Sequence, residues 1–261
     1  MASFDFNPNT RNYSLENAYW LSRASQLAYE NESKISQGIQ AWGFNDFKYY
    51  EHKKLDTQAF IAGNQEMLML AFRGTASLKD WMTDINIDLI NGPDGKVHEG
   101  FSMAISSVWR DIWSFIRNER KGRALWITGH SLGAALATLA VAKLRLEKDE
   151  PVNGLYTFGQ PRTGDREFQK NFDADFVSQT FRFVYNNDIV ARIPFRSMHY
   201  SHVGTFKYID KKGTISEDIS WWDIIADRVH GRIEDLLKPG TDGIKDHAID
   251  NYVKFLEKAR S

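Results

Sequence analysis

The sequence predicts an α/β protein in which a mostly parallel sheet is covered by helices on both faces. Short apolar runs, typical of buried strands, alternate along the chain with longer segments of helical periodicity. Clusters of Gly, Asn and Pro separate these segments and indicate turns. No internal repeat, low-complexity stretch or linker interrupts the pattern, so we expect residues 1–261 to form a single domain.

Composition narrows the class of protein further. Hydrophobic residues make up 42% and charged residues 26% of the chain, as in ordinary globular domains. The 33 basic and 34 acidic residues give a net charge of -1, so we do not expect nucleic acid as a partner. The chain has no cysteine, which excludes disulfides, a thiolate nucleophile and cysteine-bound metals.

The location of the protein is predicted only from what the sequence does not contain. The first residues have no basic stretch followed by an apolar one, which is the pattern of a secretory signal. The longest apolar run, around residues 132–142, is too short to span a bilayer. We therefore expect a cytoplasmic protein, or one secreted without a visible signal peptide, that has no transmembrane segment.

The first part of the chain is expected to contribute a helix and a hairpin. Residues 15–29 carry apolar side chains at helical spacing. Residues 38–50 are aromatic but irregular, and we interpret them as a loop that leads into a strand. Apolar runs at residues 58–62 and 66–72 are separated by Gly63-Asn64, a pair typical of hairpin turns.

A short amphipathic helix is expected at residues 77–85. One face of it carries Leu78, Trp81, Met82 and Ile85. A helix of this kind between two loops is either a lid over a pocket or a surface helix packed on the core. The pattern alone does not separate these two interpretations.

The rest of the chain alternates between helices and strands. Helices are expected at residues 101–116, 134–146, 168–176 and 221–237, with a last helix beginning at His247. Strands are expected at residues 125–128, 154–158, 180–185 and 202–209, the last of them nearer an edge of the sheet.

Ser131 is the candidate nucleophile, in the sequence Gly129-His130-Ser131-Leu132-Gly133. This Gly-x-Ser-x-Gly pattern follows a predicted strand and opens an Ala- and Leu-rich helix, the context that a serine-bearing strand-to-helix turn requires. Side chains at the two glycine positions would collide across such a turn. The alternative is a glycine-bounded loop that joins a core strand to a core helix.

A serine hydroxyl needs a base within hydrogen-bond reach, and the base needs an acid that orients it. On a parallel sheet both are expected downstream of the serine, in loops that follow strands. Asp188 directly follows the strand at residues 180–185 and is the candidate acid, with a turn-forming aspartate as the alternative. His247, just before the last helix, is the candidate base, with His202 as the runner-up and a solvated surface histidine as the alternative.

Attack on a carbonyl also needs two fixed donors for the negative oxygen that forms. The backbone N–H of Leu132, at the start of the helix, is one candidate. Thr75 follows an earlier strand and offers both a backbone N–H and a hydroxyl, so it is the second. The alternative for Thr75 is a capping or turn threonine.

Together these motifs resemble those of the class 3 lipases, the α/β-hydrolases of the fungal triacylglycerol lipase type. The matching motifs are Phe72-Arg73-Gly74-Thr75, Asp80-Trp81, His98-Glu99-Gly100-Phe101, Gly129-His130-Ser131-Leu132-Gly133-Ala134, Thr157-Phe158-Gly159-Gln160-Pro161-Arg162, Asn187-Asp188 with Pro194, His202-Val203-Gly204, and Asp246-His247 with Tyr252.

The resemblance implies the α/β-hydrolase fold and a serine ester hydrolase that cleaves acylglycerols without a metal or an organic cofactor. It implies a catalytic triad of Ser131, Asp188 and His247, and an oxyanion hole from Thr75 and Leu132. The same triad would also serve a phospholipase A1 or an esterase of soluble esters such as feruloyl esters. A catalytically silent lipid-binding relative is the alternative from another class.

The resemblance also implies that part of the protein contacts a lipid–water interface. It makes the helix at residues 77–85 a lid that opens at a lipid–water interface, with Leu78, Trp81, Met82 and Ile85 as its lipid-facing residues. We further expect a bacterial-type member of the family. The sequence gives no indication of the oligomeric state or the acyl-chain preference.

Overall fold

An eight-stranded sheet forms the centre of the structure, a computed structural model that describes residues 4–75, 77–78, 81–82, 87–217 and 243–260. In chain order the described strands are β1 (Asp46–His52), β2 (Thr57–Gly63), β3 (Met67–Phe72), β4 (Leu89–Gly92), β5 (Gly95–His98), β6 (Ala124–His130), β7 (Gly154–Phe158), β8 (Gly164–Asp165), β9 (Thr180–Tyr185), β10 (Tyr200–Ser201), β11 (Thr205–Ile209) and β12 (Ile215–Ser216).

The strands of the large sheet lie in the order β1-β2-β3-β6-β7-β9-β11-β12. Neighbours from β3 to β11 pair in parallel. The outer strands β1, β2 and β12 pair antiparallel. The mostly parallel sheet predicted from the sequence is therefore confirmed.

Helices cover both faces of this sheet. They are α1 (Leu15–Leu27), α2 (Glu32–Ala41), α3 (Glu99–Glu119), α4 (Leu132–Ala142), α5 (Arg166–Phe176), α6 (Gly243–Asp246) and α7 (Ile249–Arg260). Leu68 and Leu70 of β3 pack in one apolar cluster with α3, α4 and α5. Met67 and Met69 of the same strand pack in the other cluster with α1, α2 and α7. Successive side chains of a strand point to opposite faces, so a strand buried on both sides reads as a continuous apolar run.

Some predicted boundaries were wrong. Residues 38–41 are not a loop but the end of α2, which buries Ile35 and Ile39. Its start is capped by Asn31, whose side chain accepts a hydrogen bond from the N–H of Lys34. The strand expected at residues 202–209 begins only at Thr205.

The structure also contains a smaller sheet that the sequence analysis did not predict. It is antiparallel, with the order β10-β8-β5-β4, and β5 contacts α3 and α5. Its strands have two to four residues, which is too short for hydrophobic periodicity to reveal. The predicted helix at residues 221–237 and lid residue Ile85 lie outside the described residues. The single domain over residues 1–261 stays a prediction.

Candidate active site

Ser131 lies at the sharp turn between β6 and α4, with φ 58° and ψ -130°. This backbone conformation is strained for a residue with a side chain. Tight backbone packing surrounds the turn. A Cβ on Gly129 would lie 2.2 Å from the carbonyl oxygen of Gly133, and one on Gly133 would lie 2.3 Å from that of Phe72. Both glycines are therefore required, as the motif predicted.

The hydroxyl of Ser131 is buried and unpaired. The residue is 1% exposed, and its backbone N–H donates to the carbonyl of Phe158 at 3.0 Å. Among the residues that the structure describes, Oγ has no hydrogen-bond partner. Burying a hydroxyl without a partner costs free energy, so the absence of one among the described residues marks Oγ as a candidate functional group.

Asp188 is fully buried at the carboxyl end of β9. Its Oδ1 accepts the N–H of Val190 at 2.8 Å, and its Oδ2 accepts the hydroxyl of Tyr252 at 2.5 Å. His247 Nδ1 lies 2.9 Å from Oδ1 and 2.8 Å from Oδ2. Burial raises the pKa of this carboxyl, but the charge of His247 and the hydrogen bonds from His247 and Tyr252 outweigh it. The pKa of Asp188 therefore lies below its ordinary value, and the group is a carboxylate.

His247 lies in the short connection between α6 and α7, and it is 4% exposed. Its backbone N–H donates to the carbonyl of Gly243 at 3.2 Å. Because Asp188 is a carboxylate, Nδ1–H of the imidazole donates to it, and Nε2 has a free lone pair whenever the ring is neutral. Nε2 is buried and has no hydrogen-bond partner within the described ranges.

The candidate nucleophile and base line the same cavity, which we call the serine cavity. Its volume is about 200 Å³, and its described lining consists of Tyr29, Thr75, Leu78, His130, Ser131, His247, Ala248, Ile249 and Asp250. Two larger surface grooves, of about 610 and 590 Å³, are lined by other residues. The chemistry of the lining, rather than the size of the cavity, identifies the candidate site.

The two predicted oxyanion donors lie beside Ser131. Thr75 lines the serine cavity, and its hydroxyl accepts the N–H of Ser77 at 3.2 Å. Leu132 is the first residue of α4, so its N–H is one of those at a helix start that has no intrahelical partner. This end of the helix also carries the positive side of its dipole.

The runner-up base, His202, has a different environment. It is half-buried, and its Nε2 lies 2.8 Å from the carbonyl oxygen of Ala191, to which it donates. Burial and the nearby Arg182 and Arg162 hold the pKa of His202 well below its usual value. The described lining of the serine cavity includes His247 and not His202.

The described part of the predicted lid packs on an apolar platform. Met82 is buried among Ile189, Val190, Ile193 and Phe195, with Leu78 and Trp81 against the same cluster. Leu78 also lines the serine cavity.

Four residues of this region were not among the predicted site residues. Tyr252 has the spacing of a core residue on α7, and no local pattern reveals that its hydroxyl reaches Asp188. Tyr29, His130 and Asp250 line the serine cavity. The sequence motif indicated only that His130 lies next to Ser131 in the turn.

The fold and the arrangement of these residues define a protein of the α/β-hydrolase class. Within it, the family model described as Lipase (class 3) matches residues 69–198. Secreted mono- and diacylglycerol lipase A of Penicillium cyclopium is 36% identical over 206 residues, which cover 71% of this chain and 67% of the relative. Triacylglycerol lipase OBL1 of Arabidopsis thaliana is 29% identical over 247 residues, which cover 72% of this chain and 48% of the relative. The chain belongs to the class 3 lipase family.

Solved structures agree with this assignment. The native propeptide complex of Rhizomucor miehei lipase superposes with a TM-score of 0.67 at 25% identity, covering 76% of this chain and 68% of that one. The chain spans about half to two thirds of the length of the curated relatives it matches. These relatives are plant and fungal proteins, and they lend no support to a bacterial-type member. No helix in the described ranges is both long enough and apolar enough to cross a membrane.

Proposed function

We propose that the protein is a serine carboxylic ester hydrolase, a lipase that cleaves acylglycerol esters through an acyl-enzyme on Ser131. One observation carries the proposal. Ser131, on a strained turn, has a buried hydroxyl with no partner in the described part of the chain, and it lines the cavity that also contains His247, whose Nδ1 is bonded to a buried carboxylate. A nucleophile, a base and an orienting acid in this order are the parts that acyl transfer needs.

In the proposed reaction, Oγ of Ser131 attacks the ester carbonyl while Nε2 of His247 takes its proton. The imidazolium then gives that proton to the leaving alcohol, and the acyl group stays on the serine. A water molecule, deprotonated by the same Nε2, attacks the acyl-enzyme; the bond between the acyl carbon and Oγ breaks, the imidazolium returns the proton to Oγ of Ser131, and the fatty acid is released. Asp188 keeps Nδ1–H in place and stabilises the positive ring at each stage.

The N–H groups of Leu132 and Thr75 are proposed to hold the oxyanion, since Leu132 starts a helix and Thr75 lines the same cavity. Tyr252 supports Asp188 by donating its hydroxyl to Oδ2. These donors are fixed before substrate arrives, which is what makes them effective in the transition state.

The proposed substrates are neutral acylglycerols at a lipid–water interface. The names of the Penicillium and Arabidopsis relatives support this class of substrate. The apolar face of Leu78, Trp81 and Met82 supports a lid, because a lid that lifts from its platform would expose apolar surface to lipid. Secretion is the location that the name of the Penicillium relative supports.

Replacing the nucleophile tests the mechanism. Ser131→Ala is expected to lower turnover of p-nitrophenyl esters by up to ~10⁶-fold, as in other triads, and to abolish labelling by a fluorophosphonate. Ser178→Ala, at an exposed position, is the matched control and should leave both unchanged. Near-normal turnover in Ser131→Ala would refute the mechanism, and an unlabelled wild-type protein would favour a silent lipid-binding relative.

Two further comparisons test the base and the substrate class. His247→Ala should be inactive while His202→Ala keeps its activity, and the reverse result would overturn the choice of base. A series of glycerides and phospholipids, assayed below and above their solubility limits, should show higher rates on aggregated glycerides. A preference for phospholipids would favour a phospholipase A1, and activity confined to dissolved esters would favour an esterase.

A further inference from the structure

A hydrogen-bonded chain runs through His130 from the serine cavity to the backbone of the candidate base. Its Nε2 lies 2.7 Å from the carbonyl oxygen of His247, and its Nδ1 lies 2.7 Å from the hydroxyl of Tyr29. The ring of His130 also stacks on that of His247, with centroids 4.4 Å apart and an interplanar angle of 29°. His130 therefore touches residue 247 in two ways.

The direction of each hydrogen bond follows from the protonation states. Burial, with a smaller effect from His247, lowers the pKa of His130 to about 3, so its imidazole is neutral at physiological pH. A carbonyl oxygen only accepts, so the single ring hydrogen is on Nε2 and points at residue 247. Nδ1 is then an acceptor, and Tyr29 is its donor. Burial raises the pKa of the Tyr29 phenol above its ordinary value, so the donor hydrogen stays in place.

We propose that His130, anchored by Tyr29, is a positioning residue that sets the distance between the catalytic base and the nucleophile. His130 is joined covalently to Ser131 and by a hydrogen bond to the backbone of His247. Asp188 fixes how the ring of His247 is turned, because both of its hydrogen bonds to this residue go to Nδ1 of the ring. That backbone lies in a connection of two residues between α6 and α7, where the carbonyl of residue 247 needs a partner outside the helices.

This inference rests on the proposed function, since it concerns the same serine and histidine. It predicts a loss in kcat rather than in KM, because the spacing of catalytic groups matters to the chemical step. Tyr29→Phe keeps the ring but removes the donor to His130. We expect about a tenfold fall in kcat on a p-nitrophenyl ester, the size expected for one internal hydrogen bond, with KM within about twofold.

The His130 variants separate the hydrogen bond from the bulk of the side chain. His130→Gln can still donate to the carbonyl of residue 247, whereas His130→Leu leaves that carbonyl unpaired. We expect His130→Gln to retain at least about ten times the kcat of His130→Leu. The rate of inactivation by a fluorophosphonate should fall in the same order, since it reports attack by the serine. Tyr156→Phe, which removes the bond that a buried tyrosine hydroxyl accepts from the N–H of Ser14, is the control and should have wild-type kcat.

A double-mutant cycle decides whether Tyr29 acts through His130. If it does, adding Tyr29→Phe to His130→Leu should cause less than about a twofold further loss of kcat. A full tenfold further loss, a Tyr29→Phe effect confined to KM, or equal kcat in the two His130 variants would overturn the inference. Activity of Ser131→Ala would instead refute the proposed function, so the two failures are distinguishable. Circular dichroism and urea unfolding of each variant identify any that fails to fold, and the Tyr29→Phe and His130→Gln arms then carry the test.

Discussion

Acid is expected to destabilise the protein through His98, which is buried at the start of α3. Its ring is 2% exposed and stacks on Phe101, with centroids 4.0 Å apart. Nδ1 accepts the N–H of Phe101 at 3.4 Å and thereby caps the helix. Protonation would place a charge in this apolar site. It would also put a hydrogen on Nδ1, which could then no longer accept the N–H of Phe101. Burial, opposed in part by Asp88, therefore lowers the pKa of His98 from 6.5 to about 4.

The sign and size of the effect of acid on stability follow from the difference in the pKa of His98 between the folded and the unfolded protein. Below pH 6.5 the unfolded chain takes up a proton at this imidazole, while the folded protein stays neutral down to about pH 4. Acid therefore favours the unfolded state, and the contribution is absent at neutral pH. At pH 4.5 the difference amounts to about 2.5 kcal/mol for this residue. It levels off at about 3.4 kcal/mol once the folded state is protonated as well.

The substitution His98→Asn isolates this contribution. Asparagine is also a good N-cap, so the helix start keeps an acceptor, but the titrating group is gone. The measurement is the free energy of unfolding in urea, followed by tryptophan fluorescence at pH 7 and at about pH 4.5. His98→Asn should lose less stability over this interval than the wild type, by about 2.5 kcal/mol, whatever it loses at pH 7.

His199 provides a matched control, because it is exposed and its φ of 69° suits asparagine. His199→Asn should follow the wild-type dependence on pH. If His98→Asn and the wild type lost equal stability between the two pH values, the reasoning would be refuted. Asparagine takes up no proton on unfolding, so the contribution of His98 must be missing from the variant.

Two further predictions concern the candidate site. Gly159→Ala should lower kcat by more than about a hundredfold, since its Cβ would lie 2.6 Å from Oδ2 of Asp188 and 2.7 Å from Cε1 of His247. Gly43 is also at positive φ but has open space around it, so Gly43→Ala should lose only about 1 kcal/mol of stability and no activity. Equal activity in the Gly159→Ala and Gly43→Ala variants would contradict the steric argument. Asp250 is the one carboxylate among the described residues that line the serine cavity, so Asp250→Asn should raise the rate on anionic relative to neutral esters by about threefold. The gain should disappear at high salt, and a gain that persists there would not be electrostatic.

Sequence patterns predicted the parts of the fold that depend on long periodic segments. The helices α1, α3 and α5 and the buried strands β2, β3, β6, β7 and β9 lie where periodicity and apolar runs indicated. Helix α2 was missed because the interpretation rested on aromatic residues after Gly38, and those are irregular in spacing. Its own signals were Asn31 as N-cap and an apolar pair four residues apart, Ile35 and Ile39.

The candidate site was predictable to the extent that its residues follow strands. Ser131, Asp188 and Thr75 each come directly after a strand of one parallel sheet, and the carboxyl ends of such strands meet at one edge. His247 was predictable from its loop position and from the required chain order. Their catalytic roles stay proposals.

The groups that support these residues could not be predicted, because each acts through a contact that no local pattern encodes. Tyr252 occupies a normal core position on α7, and only the packing of that helix brings its hydroxyl to a carboxylate 64 residues earlier. Tyr29 and His130 are 101 residues apart in the chain. The periodicity of a segment predicts which face of its helix or strand is buried. It does not predict which side chain of another helix or strand packs against that face.

The placement of the candidate base depends on both ends of the chain. His247 precedes α7, and α7 packs along α1 within one apolar cluster. Polar contacts join the two helices along their length: Gln26 donates to Asp250 at 2.6 Å, Tyr19 to Glu257 at 3.2 Å, and Arg260 to Glu16 at 2.6 Å. Single polar contacts of this kind contribute little individually, so the buried cluster provides most of the attachment.

Tyr29 enters the serine cavity from the end of α1, the helix on which α7 packs. Tyr29 follows α1 by two residues, so the helix that holds α7 also delivers the hydroxyl that anchors His130. The backbone of His247 is thereby held from two directions, by α7 on one side and by His130 on the other. Asp188 then has only the orientation of one ring left to fix. Because a shift of about 1 Å between catalytic groups is costly, supports from two directions for the candidate base are what a preorganised site requires.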